Sequence, residues 1–108
     1  MQIQGVTGFE WDSGNRDKCQ KHGVSLSEIE SAFHRTMKFF PDIAHSANEI
    51  RYIAVGDTGE GRKLFISFTL RKREGEMYIR PVSARYMHQK EVEGYEKAIT
   101  NPQDGQRG

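Results

Sequence analysis

Residues 63–86 read "KLFISFTLRKREGEMYIRPVSARY", and the way this stretch folds decides the class of the protein. From Lys63 to Arg71 the side chains alternate: Leu64, Ile66, Phe68 and Leu70 point one way, while Ser67, Thr69 and Arg71 point the other. A period of two is a strand with one buried face. "KREGE" (72–76) then interrupts with charges and a glycine, as a hairpin turn does, and "MYIRPVSARY" (77–86) follows as a second strand. Pro81 has no N–H to give a ladder, so it marks an edge or a bulge. On a regular strand Arg80 and Arg85, five residues apart, fall on opposite faces. One extra residue at a bulge returns them to the same face.

Working toward the N-terminus, "RYIAV" (51–55) is short and β-branched and ends at the turn "GDTGEG". "MKFFPDI" (37–43) reads as an edge strand because of Pro41. The connections are short enough for hairpins, so four antiparallel strands are expected. Two helices precede them. In "FEWDSGNRDKCQKHG" Asp12 or Ser13 serves as N-cap, the helix runs through His22, and Gly23 is a left-handed stop. In "VSLSEIESAF" Ser25 and Glu28 have capping-box spacing, Val24 and Ile29 stand as a hydrophobic staple, and Leu26, Ile29 and Phe33 form one stripe. Beyond the last strand, "HQKEVEGYEKAI" is a helix with Val92, Tyr95 and Ile99 on one face. The expected order is α-α-β-β-β-β-α, an α+β fold in a single domain over residues 1–100, with a disordered tail at 101–108.

At 108 residues the chain suits one domain with a thin, aromatic-rich core: six Phe, four Tyr and one Trp. No stretch approaches the roughly 20 apolar residues of a membrane helix, and no signal-peptide pattern opens the chain. The single Cys19 cannot form an internal disulfide, which fits a reducing cytoplasm. Net charge is only +1, but residues 1–50 carry 5 basic and 7 acidic side chains, against 11 and 8 in residues 51–108. The basic surplus lies in the sheet half and suits an anionic partner, but it is mild, and a solvated mixed surface is the commoner explanation of such numbers.

Candidate chemistry gathers where the last strand meets the last helix. Arg80 and Arg85 offer bidentate contacts to phosphate, and His88, Glu91 and Tyr95 share a helix face near an N-terminus that attracts anions. The bland counterpart is a pair of surface arginines matched to Glu91 or Glu93, with Tyr95 in the core. His45, beside Ser46, is a general acid or base candidate, whereas a nucleophilic Ser46 lacks the strained elbow that chemistry uses. "TGEGRK" (58–63) lacks P-loop spacing and reads as a turn. Arg71, Lys72 and Arg73 are a loop charge cluster that could steer phosphate.

Four segments in register, "FEWDSGN…KCQKHGVSLSEIE", "HSANEIRYIAVG", "GRKLFISFTLR" and "IRPVSARYMHQKE…YE", resemble the BrnT group of bacterial toxin ribonucleases over residues 9–96. The resemblance implies a RelE-like fold, RNA cleavage, and a cognate BrnA-like antitoxin that binds operator DNA through a ribbon-helix-helix domain, so that DNA is reached only through the antitoxin. It carries over Trp11, Asp12, Lys21-His22-Gly23, His45-Ser46, Glu49, Arg51, Gly61-Arg62, Ser83-Ala84-Arg85, Glu91 and Tyr95. Leu70, Pro81 and His88 depart from the pattern of many members.

RNA needs no metal to be cut, since its ribose 2′-OH can attack the adjacent phosphorus. With clustered arginines and no convergent metal ligands, the expected route is metal-independent and cofactor-free. Arg85 and Arg80 are expected to hold the phosphate and its transition-state charge. Glu91 or His45 is the base, His88 or His45 the acid; Arg62, Lys21 and Tyr95 guide RNA. Two readings from other classes stand beside this one: a catalytically inert module that docks an antitoxin-like partner, and a DNA-associated regulator, which lacks a base-reading helix or ribbon.

Overall fold

The computed structural model describes residues 5–100, with side chains through residue 98. The expected tail at 101–108 and the side chain of Ile99 lie outside the described residues. Strands are β1 (Val6–Phe9), β2 (Lys38–Pro41), β3 (Tyr52–Asp57), β4 (Lys63–Arg73) and β5 (Glu76–Tyr86); helices are α1 (Ser13–Gln20), α2 (Leu26–Phe33) and α3 (Gln89–Thr100). They form one sheet in the order β1-β5-β4-β3-β2.

The expectation of four antiparallel strands is corrected here. The sheet has five strands and is mixed, because β1 runs parallel to β5, pairing Val6 with Met77 and Phe9 with Ile79. Four residues with a glycine among them carry too little alternation to announce a strand. What makes "VTGF" extended is the open edge of β5, a contact about 70 residues away in sequence.

The β4–β5 hairpin turns on two residues. Arg73 pairs with Glu76, and Glu74 (φ 52°) and Gly75 (φ 82°) both adopt left-handed backbone, the geometry that matches strand twist in a two-residue loop. Further along, the pairing passes from Ser67↔Ser83 to Phe68↔Pro81, leaving Val82 without a partner. This is the bulge that Pro81 anticipates. Arg80 consequently faces Thr69 and Arg85 faces Phe65, both on the same side of the sheet.

Both N-terminal helices start as their capping residues dictate. Asp12 accepts from the Asn15 N–H at 3.0 Å while the Asn15 side chain accepts from the Asp12 N–H at 2.7 Å. Ser25 and Glu28 exchange the same pair of bonds, each at 3.1 Å. α1 stops at Gln20, two residues short of the expected His22, and Gly23 supplies the left-handed turn at φ 89°. Where β1 ends, Asn15 continues the edge: its Nδ2 donates to the Pro81 carbonyl at 2.9 Å and to that of Glu10 at 3.0 Å. α1 is thereby fixed over the bulge.

One face of the sheet is the core. Leu64, Ile66, Phe68, Ala54, Ile79 and Ala84 lie buried beneath Cys19, Val24, Ile29, Ala32 and Met37. Phe68 and Phe33 meet edge to face at 5.2 Å, and Phe9 and Phe39 extend the cluster. Burial pushes the Cys19 thiol up to about 11, which makes it a packing group rather than a nucleophile. The opposite face carries Phe65, Ser67, Thr69, Arg80 and Arg85. At one end α3 leans on it, with Tyr95 edge-on to Phe40 at 6.3 Å. Among the described residues no helix is long and apolar enough to cross a membrane.

Candidate functional site

The bulge fixes what the open face can present. Arg80 stands across β5 from Thr69, and extending the β3–β4 register by one residue sets Arg51 on the other side of the same Thr69. A row Arg51–Thr69–Arg80 therefore crosses three strands. Two residue pairs further along, on the same face, Arg71 meets Glu49. These side chains, with Lys18 from α1, line a hollow of about 370 Å³. A second hollow of about 480 Å³ adjoins it, sharing Glu49, Arg51 and Thr69 and adding His45.

Most of the arginines here already hold acids. Arg71 Nε and Nη2 donate to the two Glu49 carboxylate oxygens at 2.6 and 3.1 Å. Glu10 takes Arg73 at 2.8 Å and Arg80 at 3.3 Å, and lies 3.8 Å from Arg71. Arg80 also reaches Asp12 at 2.9 Å. The Arg73 hydrogen bond above all holds the Glu10 carboxyl below its ordinary range; for Asp12 the Asn15 N–H does so first and Arg80 second. Arg51 differs. No carboxylate among the described residues pairs with it, and its Nε is buried without a hydrogen-bond partner. Thr69, only 2% exposed, has its Oγ1 in the same condition.

His45 ends a 3₁₀ turn at Ile43–His45 that Ser46 ties down: the Ser46 hydroxyl donates to the Asp42 carbonyl at 2.6 Å and accepts from the Arg51 N–H at 3.0 Å. Ser46 is thus a turn cap. The Asp42 carboxylate lies 3.0 and 3.1 Å from His45 Nδ1, while the ring is 65% exposed. A carboxylate on one ring nitrogen fixes the imidazole's orientation and favours the tautomer with its lone pair on Nε2.

Arg85 shares the face of Arg80 but belongs to a different group. Four residues of β4 separate their partners, about 13 Å at a strand's rise. Arg85 lies over the Phe65 ring at 4.4 Å and grips Glu91 with two bonds of 2.7 and 2.9 Å. Glu91 also accepts from the His88 N–H at 2.9 Å, closing the first turn of α3. These contacts, Arg85 first, bring its carboxyl down to about 2. Tyr95 is half-buried against Phe40, with Lys63 Nζ 6.0 Å from its ring centroid, and burial raises its hydroxyl. Arg62 sits 3.5 Å over the Tyr86 ring, whose hydroxyl donates to Glu28 at 2.7 Å. Lys21 is exposed just past α1, one helical turn beyond Lys18.

Of the residues singled out from sequence, the structure brings Arg80 and His45 to adjoining hollows, and Arg85, Glu91 and His88 to a second place. Sequence reading gave no role to Lys18 or Thr69 and only a loop role to Arg71. Their one signal was the polar side of the β4 alternation, whose neighbours depend on strand pairing. Among the described residues no three His, Cys, Asp or Glu side chains are grouped as a metal ion requires.

A family model described as "Ribonuclease toxin, BrnT, of type II toxin-antitoxin system" matches residues 11–91, a span holding both arginine groups and His45. No curated protein matches the chain.

Proposed function

The chain belongs to the BrnT family of type II toxin–antitoxin ribonuclease toxins, and we propose that it is an active endoribonuclease that cuts RNA without a metal and so arrests translation and growth. The observation that carries this reading is the position of His45, braced by Asp42, on a hollow that shares Arg51, Glu49 and Thr69 with the arginine-lined one. His45 Nε2 takes the proton from a ribose 2′-OH, whose oxygen attacks the adjacent phosphorus. The phosphorus–O5′ bond breaks, the leaving oxygen takes a proton from water, and the products are a 2′,3′-cyclic phosphate and a 5′-hydroxyl end. Arg80, reaching in from β5, meets the charge that builds on the phosphoryl oxygens.

The other proposed roles follow from position. Glu91, with its carboxyl at about 2, is a weak base at neutral pH, so between the two candidates His45 takes the proton. Arg85 and His88 stand beyond the reaction centre and hold a neighbouring stretch of the strand, while Lys21, Arg62 and Tyr95 guide it. The fold is of the RelE type, the place of action the cytoplasm. The neutralising partner is a BrnA-like ribbon-helix-helix antitoxin, through which alone operator DNA is bound.

His45→Ala is expected to lower the cleavage rate by about 10²–10⁴-fold with an unchanged circular dichroism spectrum, and EDTA is expected to leave the wild-type rate intact. A variant that cuts at the wild-type rate removes His45 from the chemistry, and activity lost to EDTA and restored by magnesium overturns the metal-free route. One observation favours a second reading, an inert docking module: Arg71, Arg80 and Arg85 each already hold a carboxylate. That reading requires a stable antitoxin complex with no cleavage at any protein concentration.

A further inference from the structure

We propose that Arg51 and Thr69, with Arg80 across the strand, form a binding site for a tetrahedral oxyanion. Buried polar groups are almost always paired, and an unpaired one is costly. Here two such atoms, Arg51 Nε and Thr69 Oγ1, belong to neighbouring residues: the β3–β4 register, extended one residue past Tyr52, sets Arg51 opposite Thr69, and both residues line both hollows. Two covered, unpartnered atoms on neighbouring side chains that wall the same space call for one shared partner, which reaches them once a small side-chain shift uncovers them.

The chemistry of that partner follows from the donors. Arg51 Nε can only donate, and the Thr69 hydroxyl can donate, so the ligand presents acceptors. Arg51 is charged, and unlike Arg71, Arg73, Arg80 and Arg85 it holds no carboxylate among the described residues. Lys18 and Arg71 are also on the wall, against the one carboxylate of Glu49 that Arg71 holds, so the surplus charge is positive and the ligand is an anion. Arg51 approaches from the β3 side, Thr69 from the floor and Arg80 from the β5 side. Three directions of approach match the spread oxygens of a phosphoryl group better than the flat pair of a carboxylate. Arg80, partly buried, holds Glu10 at 3.3 Å and Asp12 at 2.9 Å, and these contacts open to admit it. That the physiological ligand is an internucleotide phosphate of RNA rests on the function proposed above; the oxyanion site itself does not.

The test uses the full chain and inorganic phosphate as probe, followed by calorimetry and by the Arg51 Nε–H resonance. Phosphate is expected to bind the wild type and move that resonance. Thr69→Val, which keeps the side-chain shape, and Arg51→Gln are each expected to weaken binding by about tenfold, the loss of one charge-assisted hydrogen bond. No binding to the wild type, or equal binding by both variants, overturns the site. Phosphate binding that both variants weaken, in a chain that cuts no RNA, sustains the site and removes the nuclease reading. RNA cleavage whose KM, like phosphate affinity, ignores both substitutions sustains the nuclease and removes the site.

Discussion

Glu91 was a candidate base by its place in the sequence, and its surroundings turn it into a fastener. It joins Arg85 on β5 to the first turn of α3 through three hydrogen bonds. Its folded carboxyl lies at about 2, well below the ordinary 4.5. A depressed carboxylate contributes stability above its unfolded pKa and loses it as pH falls through the folded value. The contribution is therefore full near neutrality and disappears between about pH 5 and pH 2. Glu91→Gln is expected to melt at a lower temperature than wild type at pH 7, with the two curves converging near pH 2. Because the pair is partly exposed, the gap is small; melting curves that stay parallel across that range would show that the pair adds nothing. The same residue marks the limit of sequence reading. Spacing placed Arg85, His88 and Glu91 at one corner, as found, but spacing could not tell a reacting group from one held by two neighbours. Arg51 and Thr69 were harder still, since what distinguishes them is the lack of a partner in a folded interior.

At the level of elements, local signals read well and distant ones did not. Ser25 with Glu28, Asp12 at a helix start, Gly23 at a stop and Pro81 at a bulge each act through neighbours within a few residues. β1 was invisible because only β5 makes it a strand. The β4–β5 hairpin lies between these cases: its strands were legible from alternation, but its turn is tighter than "KREGE" implied. Glu74 there takes φ 52°, a backbone region costly to a residue with a long side chain. Asparagine tolerates that region and is favoured before glycine in such turns. Glu74 is exposed, and its side chain has no hydrogen-bond or ion-pair partner among the described residues, so Glu74→Asn is expected to raise stability by about 0.5–1 kcal/mol, read from denaturant midpoints. A lower midpoint would show that the Glu74 side chain matters to the turn.

For the whole molecule, a net charge of +1 says almost nothing about what it binds. The fold decides, by sorting charge between faces. One side of the sheet is apolar core; the other carries Arg51, Arg71, Arg80 and Arg85, with Lys18 beside them. An RNA strand laid along it meets two cationic places about 13 Å apart, the hollow at Arg51 and Arg80 and the Arg85 group. The salt dependence of binding can tell whether both engage. Each phosphate neutralised on a single strand steepens the fall of log K with log salt by about 0.7. If RNA spans both places, Arg85→Ala flattens the slope by about that amount while Lys21→Ala, out past the end of α1, changes it less. An unchanged slope in Arg85→Ala would mean that Arg85 serves α3 alone. The strand would then be held only around the hollow, and the working surface would be half of what the shared face offers.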